Sequence, residues 1–116
     1  MDKIVLKNIH LSCHIGVPDD ERAMAQPIFV DITLHLDLEP AGTSDSIDHT
    51  VNYAGVHKTV LAAAEKSFRT IEGLAESIAT SIKFNHTLVK YIDVVIRKPY
   101  ALRFKGVDYA SVEISR

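Results

Sequence analysis

The sequence predicts an α+β fold in which a four-stranded antiparallel sheet is covered by two helices on one face. Three observations carry this. Residues 27–38 alternate apolar and polar with period two, two runs at helical spacing occupy 53–68 and 70–84, and a second pair of strands closes the chain. The order is β-β-α-α-β-β over residues 1–116, with no repeat, linker or low-complexity tract, so the chain reads as one domain.

The first strand, "IVLKNIHLSCHIG" (4–16), is β-rich, with Val5, Ile9, Leu11 and Cys13 on one parity and Asn8, His10 and Ser12 on the other. The second, "PIFVDITLHLDL" (27–38), sets Ile28, Val30, Ile32, Leu34, Leu36 and Leu38 against Asp31, Thr33, His35 and Asp37. Between them "VPDDERAMAQP" is polar and proline-bounded, longer than a hairpin needs, with room for one short helical turn. Residues 39–52, "EPAGTSDSIDHTVN", read as a loop. The first helix carries Tyr53, Val56, Val60, Leu61, Ala64 and Phe68 at helical spacing. In the second, Ile71, Leu74, Ile78 and Ile82 form one stripe, and Thr70 is a natural N-cap. "YIDVVIRK" (91–98) and "VDYASVEIS" (107–115) are the closing strands, joined by a turn on "PYALRFKG", with Ala110, Val112 and Ile114 facing one way. Strands of this length leave two long exposed edges, and pairing between subunits is the economical way to cover them; a homo-oligomer is expected on that ground alone.

Composition narrows the functional classes. Hydrophobic residues make up 47% and charged residues 24%, as in an ordinary soluble globular protein. Thirteen basic against fifteen acidic residues, dispersed in sequence, give a net charge of −2 and no basic stripe, so nucleic acid is not an expected partner. The first residues, "MDKIVLKNIHLSCHIG", lack an apolar core long enough for a signal peptide, and no later run is long enough to span a bilayer, so no membrane partner is expected. Cys13 is the single cysteine, which leaves no disulfide framework and fits a cytoplasmic setting.

Motifs exclude several chemistries. Neither GxGxxG nor GxxxxGK[ST] occurs, and GxSxG is missing. "HLSCH" offers His10, Cys13 and His14, but in a strand the two histidines stand roughly 13 Å apart, too far to share a zinc ion, and Cys13 points to the other face. What remains is a set of single residues at element ends: Glu21, Tyr53, Glu72 and Lys98. Each has an ordinary structural reading: a solvated charge, a boundary tyrosine with a packed ring, a carboxylate favoured by a helix dipole, and a strand-end cation held extended by Pro99. These residues by themselves leave the function open.

Four motifs in order add to this: "IGVPDDER" after the first strand, "TVNYAGV" entering the first helix, "TIEGLAESIA" in the second, and "IRKP" ending the third strand. Their order and spacing over residues 3–115 resemble the dihydroneopterin aldolase family. The resemblance implies the tunnelling fold (T-fold), in which subunits join their sheets into a barrel, as tetrameric rings stacked into octamers with active sites between subunits. It implies retro-aldol cleavage of a small-molecule pterin, 7,8-dihydroneopterin, to 6-hydroxymethyl-7,8-dihydropterin and glycolaldehyde in folate biosynthesis. No cofactor, metal or Schiff base is implied, because the dihydropterin's own imine accepts the electrons of the broken bond.

By position, Lys98 then matches the catalytic lysine near pterin N5, Glu21 its acidic partner, and Tyr53 a tyrosine that protonates the enol intermediate from the neighbouring subunit. Glu72 matches the anchor that pairs bidentately with the guanidine-like edge of the pterin. Backbone around Val17, Thr50, Val51, Asn52 and Ile71 would line the slot. "ALRF" is similar to a stretch in the sister dihydroneopterin triphosphate epimerases, which share the retro-aldol step. Arg103 there has two readings, a contact for a phosphate or a turn cation. Zinc-dependent relatives of the fold, such as pyruvoyl-tetrahydropterin synthase, use an HxH pair that this sequence lacks. Three functions therefore stand: an aldolase (an aldehyde-lyase), an epimerase at C2′, and a non-catalytic pterin-binding protein.

Overall fold

The computed structural model describes residues 1–116. Strand β1 (Asp2–His14) is followed by a short helix α1 (Asp19–Arg22) and strand β2 (Ala25–Leu36). Next come α2 (Glu39–Ser44), a 3-10 turn (Ile47–His49), and the two longer helices α3 (Tyr53–Ala63) and α4 (Ile71–Asn85). The chain closes with β3 (Tyr91–Lys98), a 3-10 turn (Arg103–Lys105) and β4 (Ala110–Ser115). All neighbouring strands are antiparallel in the order β1-β2-β3-β4, so β1 and β4 are the edges.

One face of the sheet is buried. Ile28, Val30, Ile32, Leu34 and Leu36 of β2, with Ile92, Val94 and Ile96 of β3, pack beneath Val56 and Val60 of α3 and the α4 stripe Leu74, Ala75, Ile78 and Ile82. The alternation read in residues 27–38 thus reports one buried face, as period two demands. Thr70 caps α4, its Oγ1 accepting from Gly73 N, and Asn52 caps α3 through Ala54 N.

Three expectations need correction. Val5 shares the parity of Ile9, Leu11 and Cys13, yet it is exposed while Ile4 and Leu6 pack against the core. The cause is a β-bulge between Leu6 and Ile9, where Asn8 takes φ 58° and one extra residue inverts the facing of everything before it. Residues 39–52 are not plain loop, because the Pro40-led turn winds into α2 and Ser46 caps the following 3-10 turn. Helix α3 ends at Ala63 rather than 68, and Phe68 instead bridges to Ile15 beside β1.

The face without helices is stitched by polar contacts. At the bulge, Asp31 Oδ1 accepts from Asn8 N at 2.7 Å, and Arg97 Nη1 donates to Asp31 Oδ2 at 2.6 Å. Arg97 Nη2 also donates to Asn8 Oδ1 at 2.9 Å, so β1, β2 and β3 are tied together. Farther along the face, Asp93 pairs with His35 at 2.6 Å and accepts from Ser115, linking β2, β3 and β4. The Arg97 hydrogen bond holds the Asp31 carboxyl below the ordinary aspartate range, with burial opposing it and Asn8 adding to it.

Asp31→Ala is expected to destabilise the protein by about 2 kcal/mol, since it leaves a partly buried guanidinium and the bulge amide without their acceptor. Urea denaturation at neutral pH measures this as a lower midpoint. Because the folded pKa is lowered, the wild-type advantage is complete above the ordinary aspartate pKa. It shrinks as pH falls through the lowered value, so the two midpoints converge in acid.

Candidate active site

Four backbone and side-chain constraints bring one carboxylate to one ammonium at the end of β3. Gln26, the one buried polar residue, opens the inward row of β2 and donates from Nε2 to Ile15 O at 2.8 Å and to Glu21 Oε2 at 3.1 Å. Arg22 Nη1 donates to the carbonyls of Gly16 and Val17, folding the 16–22 segment onto itself. Gly16 leaves room: a Cβ there would stand 2.5 Å from Glu21 Oε1 and 2.7 Å from Glu21 Cγ. Lys98, the last residue of β3, then places Nζ 2.9 Å from Glu21 Oε2. Its side chain is only 16% exposed, so the ion pair sits in a recess rather than on an open surface.

The Lys98 hydrogen bond lowers the Glu21 carboxyl below the ordinary glutamate range; burial works against it and Gln26 assists. The carboxylate is therefore the stable form of Glu21 at neutral pH. Such a pair can exchange a proton with a hydroxyl or water brought between its members.

Glu72 lies at the same end of the sheet. Phe68 N donates to His14 O at 3.1 Å and Gly16 N donates to Phe68 O at 3.0 Å, so the chain entering α4 is laced to the end of β1. Glu72 follows in the first turn of α4 with its side chain exposed, and the buried Ile71 holds the helix start. Val17, 67% exposed, is on the rim formed by the 16–22 segment.

The remaining predicted residues are elsewhere. Thr50, Val51 and Asn52 border a cleft of about 220 Å³ with Asn85, His86, Thr87 and Leu88, at the opposite end of α4. Fifteen helical residues put the two ends roughly 22 Å apart. Val51 is buried, so its backbone rather than its side chain is what it offers. Tyr53 starts α3 at this far end and is 64% exposed, which removes the reading of a packed boundary ring. The nine predicted positions are therefore not all brought together: one protomer joins Glu21 and Lys98 directly, sets Val17, Ile71 and Glu72 at the same end of the sheet, and keeps Thr50–Tyr53 apart. Sequence reasoning missed Gln26 and Gly16; the buried polar position opening an otherwise apolar row was the available signal for Gln26. Arg103 stacks over the Tyr100 and Phe104 rings at 4.2 and 4.6 Å, which fits its reading as a turn cation.

A four-stranded antiparallel sheet with paired helices on one face is the layout of the tunnelling fold, and here a recessed lysine–glutamate pair sits at its end. The family profile for dihydroneopterin aldolase matches residues 4–115, and the chain belongs to that family. A dihydroneopterin aldolase of Methylorubrum extorquens is 34% identical over 99% of this chain and 89% of its own. A dihydroneopterin triphosphate 2′-epimerase of Escherichia coli is 32% identical over 97% of this chain and 92% of its own. Among solved structures, an E. coli dihydroneopterin aldolase in complex with neopterin superposes with TM-score 0.93 at 26% identity, covering 100% of this chain and 99% of that one.

Two measurements probe the pair. In a carbon-13 NMR titration, the Glu21 carboxyl should titrate below ordinary glutamate, and Lys98→Met should move it upward. Since the folded pKa is lowered, the pair is intact above the ordinary value and breaks as pH falls through the lowered one. Gly16→Ala should raise the same carboxyl pKa by displacing Glu21 from Lys98. An unmoved titration in both variants contradicts this geometry.

Proposed function

We propose that the chain, acting as one domain, is a cytoplasmic dihydroneopterin aldolase whose active sites lie between subunits of a homo-oligomeric ring, tetrameric and stacked as an octamer. The observation that carries the reading is the recessed Glu21–Lys98 pair at the strand end beside the Glu72 helix start, in a chain of this family. Glu72 anchors the pterin through a bidentate charge-assisted pair, favoured by its helix N-terminus. Lys98 exchanges the proton of the C2′ hydroxyl, and Glu21 holds that hydroxyl or a water against it. As the hydroxyl loses its proton, the C1′–C2′ bond breaks and its electron pair enters the ring imine. Glycolaldehyde leaves, and Tyr53 of a neighbouring subunit returns a proton to C1′, giving 6-hydroxymethyl-7,8-dihydropterin. Val17 and Ile71 line one side of the slot, and Thr50, Val51 and Asn52 of the neighbour line the other.

The separation of Thr50–Tyr53 from Lys98 within one protomer supports a shared site, because a complete set needs two copies. The unpaired edges of β1, thirteen residues long, and β4, six residues long, support ring closure by sheet pairing. No helix is long and apolar enough to cross a membrane, and the lone Cys13 is a buried free thiol, as suits a reducing compartment. A second reading, epimerisation at C2′ of dihydroneopterin or its triphosphate, is favoured by the similarity to the E. coli epimerase.

Incubation with 7,8-dihydroneopterin and with its triphosphate, followed by separation of the pterins, decides the matter. Hydroxymethyl-dihydropterin is expected; epimer alone would replace the aldolase reading with the second. Lys98→Ala should lose roughly 10²- to 10⁴-fold in turnover while still binding pterin. An undiminished rate leaves only a role in binding. Glu72→Ala should instead weaken pterin affinity by roughly 10- to 100-fold, measured by calorimetry. Mixed oligomers of Lys98→Ala and Tyr53→Ala subunits should recover activity that neither variant has alone, and no recovery argues for sites within one subunit.

A further inference from the structure

The turn that ends α4 carries a half-buried histidine with no direct part in the chemistry above. His86 is the C-cap of α4; its N donates to Ile82 O at 2.8 Å and its carbonyl accepts from Val89 N at 3.1 Å. Burial holds the imidazole pKa below the ordinary histidine value, so the ring is neutral at pH 7. Ring Nε2 lies 3.1 Å from Thr59 Oγ1 in α3. That hydroxyl also donates its one hydrogen to Gly55 O at 3.0 Å, which leaves its lone pairs to accept from His86 in the Nε2–H tautomer. The ring also rests on the helix start: a Cβ on Gly55 would stand 3.4 Å from His86 Cε1.

These contacts act on the turn that presents Tyr53. Gly55 N and Val56 N both donate to Asn52 O, so Asn52, Tyr53 and Gly55 move as one hydrogen-bonded turn. Ahead of that turn, a cleft of about 220 Å³ lies between Thr50–Asn52 and Asn85–Leu88, with Val51 buried beneath it. Beside the cleft, the His86–Thr59–Gly55 chain joins the first turns of α3 to the end of α4.

We propose that His86 is a positioning residue: its hydrogen bond to Thr59 fixes the first turn of α3 and with it the direction in which Tyr53 leaves the protomer. The inference rests on the reading of Tyr53 as proton donor to a neighbour's site. Proton delivery follows C1′–C2′ cleavage, so a misdirected Tyr53 slows that step and leaves the cleavage itself intact. The enamine then recombines with glycolaldehyde more often, re-forming the C1′–C2′ bond as dihydroneopterin or its C2′ epimer. No oxidant or further reactant enters.

The test compares the assembled wild type with His86→Leu, His86→Gln and Thr59→Val, measuring initial rates of hydroxymethyl-dihydropterin and epimer from 7,8-dihydroneopterin. His86→Leu and Thr59→Val should lower the ratio of cleavage product to epimer by roughly three- to tenfold, the effect of one hydrogen bond. kcat for cleavage should fall more than KM rises. His86→Gln, whose amide nitrogen can stand where Nε2 does, should restore most of the ratio. Thr59→Val is nearly isosteric and keeps the test open if His86→Leu fails to assemble. Unchanged ratios, equal loss of both products, or a glutamine variant no better than leucine overturns the role of His86. A wild type that forms neither product overturns the proposed function itself, and this inference with it.

Discussion

Burial of one face of a four-stranded sheet is the constraint from which the rest of this molecule follows. β2 supplies an unbroken inward row from Gln26 to Leu36, and α3 and α4 exist as packed helices because their apolar stripes have that row to cover. With the helices committed to one face, chemistry is left to the opposite face, the two edges and the two ends of the sheet. The site residues are drawn from the ends, where backbone direction changes and side chains can converge. Lys98 is available because β3 stops there, and Glu21 because the β1–β2 connection is long enough to fold back over it.

The two faces are held by different physics. The covered face relies on apolar burial, which is non-directional and tolerant of register as long as parity is kept. The uncovered face relies on Asp31–Arg97–Asn8 and His35–Asp93–Ser115, whose hydrogen bonds are directional and fix neighbouring strands against one another. Arg97 and Lys98 are adjacent in sequence and point to opposite faces of one strand. The network that pins Arg97 on the open face thus steadies the strand end from which Lys98 reaches Glu21. Fold and site are coupled through one dipeptide.

Under the proposed function, the same layout leaves each protomer with only part of a site. Glu21, Glu72 and Lys98 gather where β1 ends and α4 begins, whereas Tyr53 and the Thr50–Asn52 segment sit where α4 ends. A helix cannot bend these ends together, and β2 beneath it, twelve residues or about 40 Å, is longer still. Residues separated by the length of an element do not meet within one copy, which is why the proposed site is a shared one. The Tyr53 ring is exposed, and β1 and β4 are unpaired edges, as such a shared site requires.

The sequence by itself determined the fold class, the element order, the inward row of β2, the N-caps at Asn52 and Thr70, and the family. Each of these is written in local periodicity, local hydrogen bonding or short motifs at fixed spacing. It also named Glu21 and Lys98, through the resemblance rather than through any signal of their own. Only the tertiary structure decided that Val5 faces outward, since a single residue in the left-handed region at Asn8 inverts parity without disturbing composition. Only it revealed Gln26 and Gly16 as the supports of Glu21, and His86 as a partner of Thr59, because these contacts join residues with no common periodicity. Alternation along a chain records which side a residue faces, whereas the distance between two such residues is set by how the layers stack.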